Sequence, residues 1–326
     1  VVLGEPLASG AAPPAGTLEV GDGERLVVVA PHPDDETLGA GGLVQRVLQR
    51  GGSVRIVLVT AGDGYVEAVV HETGQLRPPA ADYIAYGRRR LGEARAAIRV
   101  LGGDLPRLQF LGFPDGGCEA LLRAHWRRTQ PEHSRTTKAV DPPYDDAAIE
   151  PNVLYDGADL RRELLRLLQE DRPTLLVLPD PLDRHPDHRA AGLFTLLALH
   201  DWLRPPATPL PGVPVPGAPR ILAYLIHWPQ WPPLPPAAAE ADSPLHLPAN
   251  FPARTRHELE LTLTDEEIAR KRQALACYDT QQREMPALLG AFVRRSEPFI
   301  EMSPPTLPQI KAMIEERLSR STRARP

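Results

Sequence analysis

Six consecutive residues, Pro31-His32-Pro33-Asp34-Asp35-Glu36, bring together one imidazole and three carboxylates. A second run, His185-Pro186-Asp187-His188, adds two imidazoles and a fourth carboxylate. Imidazole and carboxylate suit divalent transition metals, and a catalytic zinc takes three protein ligands while keeping one position open for water. His32, Asp35 and His188 provide a set of that kind, for zinc or for another divalent transition metal. Asp34, next to the ligand Asp35, is then left to face the water. Metal binding draws that water's pKa towards about 7, so a carboxylate can accept its proton near neutrality. His185 is placed to stabilise an oxyanion as an imidazolium and then to protonate a leaving amine. Asp187 would hold that ring and its charge, as carboxylates commonly do for histidine.

Either run alone also reads as a turn whose Asp residues cap a helix N-terminus. Two such runs, each directly after a buried strand, are harder to explain by capping. The strands are the apolar stretches Leu26-Val27-Val28-Val29-Ala30 and Thr174-Leu175-Leu176-Val177-Leu178-Pro179. Uninterrupted β-branched and Leu runs are what a parallel sheet covered on both faces requires.

The rest of the chain supplies the remaining elements. Strands are expected at 54–59, 108–111 and 221–226. Helices are expected at 37–49 (closed by Gly51-Gly52), 83–101, 159–169, 187–203 and 307–319. One more helix starts at Thr264, whose capping box closes on Glu267, and runs to about Gln281. Alternating strands and helices predict an α/β protein with a Rossmann-like, mostly parallel sheet and helices on both faces. Ligands bind such sheets outside the carboxyl ends of the strands, and four strands here end in His32 to Asp35, Asp63, Asp115, and His185 to His188. No G-x-G-x-x-G follows the first strand, so a dinucleotide has no support. Residues 1–24 read as an extended lead-in and 25–326 as a single domain with insertions near 118–156 and 204–252. The second insertion holds 15 of the 38 prolines and reads as a functional loop rather than a linker.

Composition narrows the classes. With 37 Lys and Arg against 42 Asp and Glu, the net charge of -5 gives no electrostatic case for nucleic acid or an anionic membrane. Cys118 and Cys277 are the only cysteines, which excludes a disulfide framework. No apolar run approaches the ~20 residues that span a bilayer. The chain begins Val1-Val2, which suggests a removed upstream piece. That start and the long loops favour an exported bacterial enzyme, with a cytoplasmic one as the alternative.

The two runs resemble the (A/P)-H-P-D-D-E and H-P-D-H motifs of the LmbE-like, or PIG-L-like, N-acetylglucosaminyl deacetylase superfamily, and both are complete here. The resemblance implies zinc on His32, Asp35 and His188, Asp34 as general base, and His185 as the second motif's catalytic histidine. Arg90-Leu91-Gly92-Glu93 resembles the family's R-x-x-E helix, which turns Arg90 towards substrate. The segment from Phe110 to Gly117 resembles the one that brings Asp115 to the site. Tyr224 to His227, and Lys271 to Gln281, are similar to a longer bacterial branch, with His227 as a pocket residue. Trp228 and Trp231 could stack on a sugar ring.

These observations predict a zinc-dependent hydrolase that removes an acetyl (acyl) group from the amide nitrogen of an N-acetylated amino sugar or its conjugate. The alternatives are a catalytically silent carbohydrate-binding protein on the same fold, or a metallohydrolase of a different bond. The sequence leaves the sugar and the oligomeric state open.

Overall fold

A computed structural model describes residues 15–147, 149–204, 217–233, 243–252 and 257–323, with side chains as far as Glu316. The elements run β1 (Gly16–Thr17), β2 (Arg25–Ala30), α1 (Asp35–Gln49), β3 (Ser53–Thr60), α2 (Val66–Thr73), α3 (Ala80–Gly102), β4 (Arg107–Phe113) and α4 (Cys118–Arg123). They continue with α5 (Gly157–Asp171), β5 (Leu175–Pro179), α6 (Pro186–Leu203), β6 (Arg220–Tyr224), β7 (His257–Thr262) and α7 (Asp265–Leu275). The last are α8 (Asp279–Glu284), α9 (Pro286–Ala291), β8 (Ser296–Met302) and α10 (Leu307–Arg323).

Eight strands form one sheet in the order β1-β7-β8-β6-β5-β2-β3-β4. From β6 to β4 every pairing is parallel, while β8 runs against both β6 and β7. The period-two pleat sends alternate β2 residues to opposite faces. Leu26, Val28 and Ala30 join the core that includes Leu43 of α1 and Leu91 of α3. Val27 and Val29 join the core built on α5 and α6, to which α10 adds Ile310. A sheet buried on both faces is the reason these strands read as continuous apolar runs.

Chain order reverses at the centre of the sheet. From β2 the chain moves outward through β3 to β4, then returns to lay β5 on the other side of β2. The loops after β2 and β5 therefore flank one crevice, the topological switch point where such sheets bind ligands. Both histidine runs lie there.

Several expectations need correction. The lead-in is partly structural, since β1 pairs with β7 and Leu18 and Val20 are buried; residues 1–14 lie outside the described residues. Strands β7 and β8, helix α2, and the short helices α4 and α9 were not anticipated. The helix expected from Thr264 to Gln281 does have its capping box, but it ends at Leu275 and α8 begins at Asp279. Much of the Pro-rich 204–252 span (205–216 and 234–242) lies outside the described residues.

Helix α1 contains a break with a specific remedy. Ala40 is non-helical (φ -146°, ψ 15°), which frees backbone groups on either side. Glu297 of β8 accepts from the Gly42 and Leu43 N–H groups at 2.7 and 3.0 Å. Lys271 of α7 donates to the Leu38 carbonyl at 2.8 Å and pairs with Glu297 at 2.7 Å. All of this is buried.

Candidate active site

The loop after β2 turns sharply into α1, and Asp34 is the residue that turns. Its φ of 125° lies where L side chains are rarely found, and its carbonyl accepts the Thr37 and Leu38 N–H groups that start the helix. Such outliers persist only where surrounding contacts hold them. Arg90 of α3 provides one hold, donating to the Pro33 carbonyl at 2.7 Å and to Asp34 Oδ2 at 3.3 Å. Its other terminal nitrogen donates to the Gly62 carbonyl at 3.0 Å. Gly62 has φ +65° and lies so close to the guanidinium that a Cβ there would collide with it.

Asp35 is the centre of the site. One oxygen, Oδ2, is 3.1 Å from His32 Nδ1 and 3.1 Å from His188 Nε2. Donor atoms about 2.0–2.2 Å from a tetrahedral ion stand roughly 3.3–3.6 Å from one another, so these contacts are slightly closer than ligands on such an ion and are of hydrogen-bond length. The far nitrogen of each ring meets another carboxylate. His32 Nε2 is 3.1 Å from Asp115 Oδ1, and His188 Nδ1 is 3.4 Å from Asp183 Oδ2. Carboxylates behind both rings are the usual support of metal-ligating histidines. His188 is fully buried, yet neither of its nitrogens is in hydrogen-bond geometry with a protein partner. A ring in that state suits an additional ligand. Three overlapping groups satisfy metal-ligand proximity, His32-His185-His188, Asp35-His188-His227 and His32-Asp115-Asp187, and the expected trio His32, Asp35 and His188 is divided between the first two. The residues present therefore suit a divalent cation.

The electrostatics follow from this packing. Burial pushes the His188 imidazole down, but Asp35 and Asp183 outweigh it and raise its pKa to about 9. His32 behaves alike, with Asp115, Asp187 and Asp35 overcoming burial to hold it well above its ordinary value. Burial would raise Asp35, but His188 and His32 hold it well below the usual carboxylate range. Asp34 goes the other way. Burial, aided by Asp35 and Glu36 and opposed by Arg90, raises it to about 8. Two carboxylates adjacent in sequence thus have opposite tendencies, one holding its charge and the other inclined to hold a proton.

His185 caps α6, its Nδ1 accepting the Asp187 N–H at 3.3 Å. That contact puts the proton of the neutral ring on Nε2. Burial, with His32, His188 and His227 nearby, pushes its pKa far down. Both features bias the ring towards its neutral form with Nε2–H as the donor, whereas the sequence reading expects an imidazolium. Asp187 does not hold that ring. Its carboxylate accepts from Gly116 and Cys118 N–H at 2.6 and 3.0 Å and lies 3.4 Å from His32 Nε2. It ties the loop after β4 to the metal side of the site.

The cavity over these groups measures about 390 Å³ and is lined by His32, Asp34, Asp35, Arg90, Asp115, His185 and His227 on its polar side. Leu38, Tyr65, Ile226, Met285 and Leu288 form an apolar wall. Arg90 and Asp115 reach the cavity, but their hydrogen bonds serve Asp34, Gly62, His32 and Gly64. His227 packs edge-on against His188, with centroids 4.7 Å apart. Trp228 and Trp231 are engaged elsewhere, against Phe251 and Phe292, with their indole N–H groups on Asn250 and His246.

Sequence reasoning missed Asp183. Its Oδ2 accepts from the Ile226 and His227 N–H groups at 3.0 Å each while facing His188, and Oδ1 accepts from His185 N–H at 2.8 Å. A carboxylate two positions before the H-P-D-H run was the available signal. Asp183→Ala is expected to weaken divalent-cation binding by about 10–100-fold, measured by competition with a chromogenic chelator. An unchanged affinity would show that His188 is oriented without it. Sequence reasoning also gave no role to Tyr144 of the 118–156 segment, which hydrogen-bonds Asp63 at the end of β3.

A doubly wound α/β sheet with a His and Asp cluster able to hold a cation at its switch point defines the class of protein. The family described as PIG-L: GlcNAc-PI de-N-acetylase matches residues 27–199, more than half of the chain, and the chain belongs to that family. It is 34% identical over 177 residues to a 1D-myo-inositol 2-acetamido-2-deoxy-alpha-D-glucopyranoside deacetylase of Mycobacterium sp. (strain KMS), covering 54% of this chain and 50% of that one. The chain spans about half the length of the curated relatives it matches. Among solved structures, the A40926 pseudoaglycone deacetylase Dbv21 aligns with a TM-score of 0.51 at 19% identity, over 87% of this chain and all of that one. GalB, the 4-carboxy-2-hydroxymuconate hydratase of Pseudomonas putida KT2440, aligns with a TM-score of 0.53 at 16% identity, over 88% and 98%. These two likenesses establish the fold, and the second shows that the fold alone does not choose a reaction. No described helix is long and apolar enough to cross a membrane.

Proposed function

We propose that the protein is a zinc-dependent amidohydrolase that removes the acetyl group from an N-acetylated amino sugar conjugate. The observation that carries this reading is the convergence of His32 and His188 on Asp35, with the separately biased carboxylate of Asp34 beside them. Family membership and relatives named as deacetylases of an N-acetylglucosamine–inositol conjugate support the choice of bond.

His32, Asp35 and His188 would hold the zinc, with Asp115 and Asp183 orienting the two rings. When bound, the cation supplies a nucleophilic water at neutral pH and a Lewis acid for the amide carbonyl. Asp34 takes one proton from the attacking water as oxygen bonds to the carbonyl carbon. It passes that proton to the amide nitrogen as the C–N bond breaks, leaving a carboxylic acid product and a free amine. His185 donates its Nε2–H to the carbonyl oxygen as charge develops there. A cavity of this size admits one sugar, and its apolar wall favours a substrate with an apolar part beyond the polar ring.

The test is acetate release from a panel of N-acetylglucosamine conjugates, with inositol, alkyl and aryl aglycones, by zinc-loaded protein. Stoichiometric acetate and free amine are expected. Sugar binding without acetate release would instead support a silent binding protein, and release of another group would support a hydrolase of a different bond.

A further inference from the structure

We propose that Tyr278 and Glu36 are positioning residues for Asp34, with Tyr278 acting through Glu36; this rests on Asp34 being the base proposed above. Asp34 holds a backbone conformation that a free loop would leave, so something must fix its amide as well as its carboxylate. Arg90 fixes the carboxylate side. Glu36 fixes the amide: its Oε2 accepts the Asp34 N–H at 3.1 Å.

A Glu side chain has several rotatable bonds and needs a hold of its own. Its Oε1 accepts the Tyr278 hydroxyl and the Thr37 hydroxyl, the latter at 3.1 Å, and those two hydroxyls are 2.9 Å apart. Tyr278, Glu36 and Thr37 are all fully buried. Without the Tyr278 hydroxyl, Glu36 keeps only Thr37 on that oxygen, and the Asp34 amide loses a fixed acceptor. Neither Glu36 nor Tyr278 lines the cavity, so they act on Asp34 rather than on substrate. Tyr278 sits where α7 gives way to α8, and it lies outside the 27–199 segment that matches the family. The same stretch supplies Gln281, Met285 and Leu288 to the cavity.

The experiment uses the full zinc-loaded chain with Tyr278→Phe, Glu36→Ala and the double variant. Tyr278→Phe removes one oxygen and keeps the ring. It is expected to lower kcat by about 10–100-fold, with KM within about twofold and zinc stoichiometry unchanged. The double variant is expected to match Glu36→Ala alone, the non-additivity of two groups acting in series. Glu36→Gln, which retains an acceptor for the Asp34 amide, should recover part of the activity and replaces Glu36→Ala if that variant does not fold. Hydrogen exchange of the peptide spanning 33–38 should quicken in Tyr278→Phe while peptides of α5 and α6 stay as in the wild type. An unchanged kcat, additive losses, or faster exchange confined to α7 and α8 would overturn the proposal. If the wild type hydrolyses no amide in the panel, the hydrolase reading fails, and the exchange measurement still decides whether Tyr278 fixes Asp34.

Discussion

Asp34→Asn is expected to retain one equivalent of zinc and to lose amide hydrolysis by about 10²–10⁴-fold, the usual worth of a positioned general base. The carboxamide has nearly the volume of the carboxylate and can still accept from Arg90, so the turn into α1 should survive. What it cannot do is take a proton. The neighbouring Asp35 is held charged by two imidazoles, whereas Asp34 is pushed up to about 8 by burial and by the charges of Asp35 and Glu36. Only one of the pair is suited to move a proton near neutrality. Steady-state kinetics and metal analysis on the same preparation make the check. A variant with near-wild-type turnover would remove Asp34 from the mechanism, and one that fails to hold zinc would make it a ligand.

The largest effect on stability is expected at the break in α1. Glu297→Ala should lower unfolding free energy by about 3–5 kcal/mol, because it leaves the buried Lys271 charge uncompensated. Replacing a buried ion pair by apolar residues of similar volume is often neutral or stabilising. Here it should not be. Glu297 and Lys271 also satisfy the Gly42, Leu43 and Leu38 backbone groups exposed by the non-helical Ala40, and each buried group left unpaired costs about 1–3 kcal/mol. The double variant Lys271→Met with Glu297→Leu should therefore remain well below the wild type in urea unfolding. Full recovery would show that α1 repairs its own break.

The parts of the fold that could be read from sequence were those whose signal is local. Strands β2, β3 and β5 are short apolar blocks because both faces of the central sheet are covered; the first histidine run directly follows β2, and the second lies in the loop after β5 and the start of α6. Strands β7 and β8 were not legible. HELELT alternates polar and apolar residues instead of forming an apolar block, while SEPFIEM has no clean alternation and Pro298 argues against a strand by itself. The site divided in the same way. Residue types gave His32, Asp34, Asp35, His185 and His188 as candidates, and the structure brings them together. Partners could not be read, because each is set by packing between distant segments. Asp187 turns to the Gly116 and Cys118 amides rather than to His185, and His188 is backed by Asp183. Arg90, expected to face substrate, has its terminal nitrogens on Gly62, Pro33 and Asp34.

The grip of Tyr278 and Glu297 on α1 also bears on the order in which the molecule is made. The His32–Glu36 loop and α1 are synthesised early, yet Tyr278 lies 242 positions beyond Glu36 and Glu297 lies 255 positions beyond Gly42. Contacts of such separation form late, because the intervening chain must first be brought together. During synthesis β2 and β3 can already pair while the turn at Asp34 and the break at Ala40 still lack their partners. A chain interrupted near the end of α6 would hold every residue of the two histidine runs and Arg90, with Glu36 lacking the Tyr278 hydroxyl and the second half of α1 free to fray. Completion of the supports around the His32–Glu36 loop is thus tied to arrival of the last third of the chain, and half-made chains are left with that loop only partly fixed.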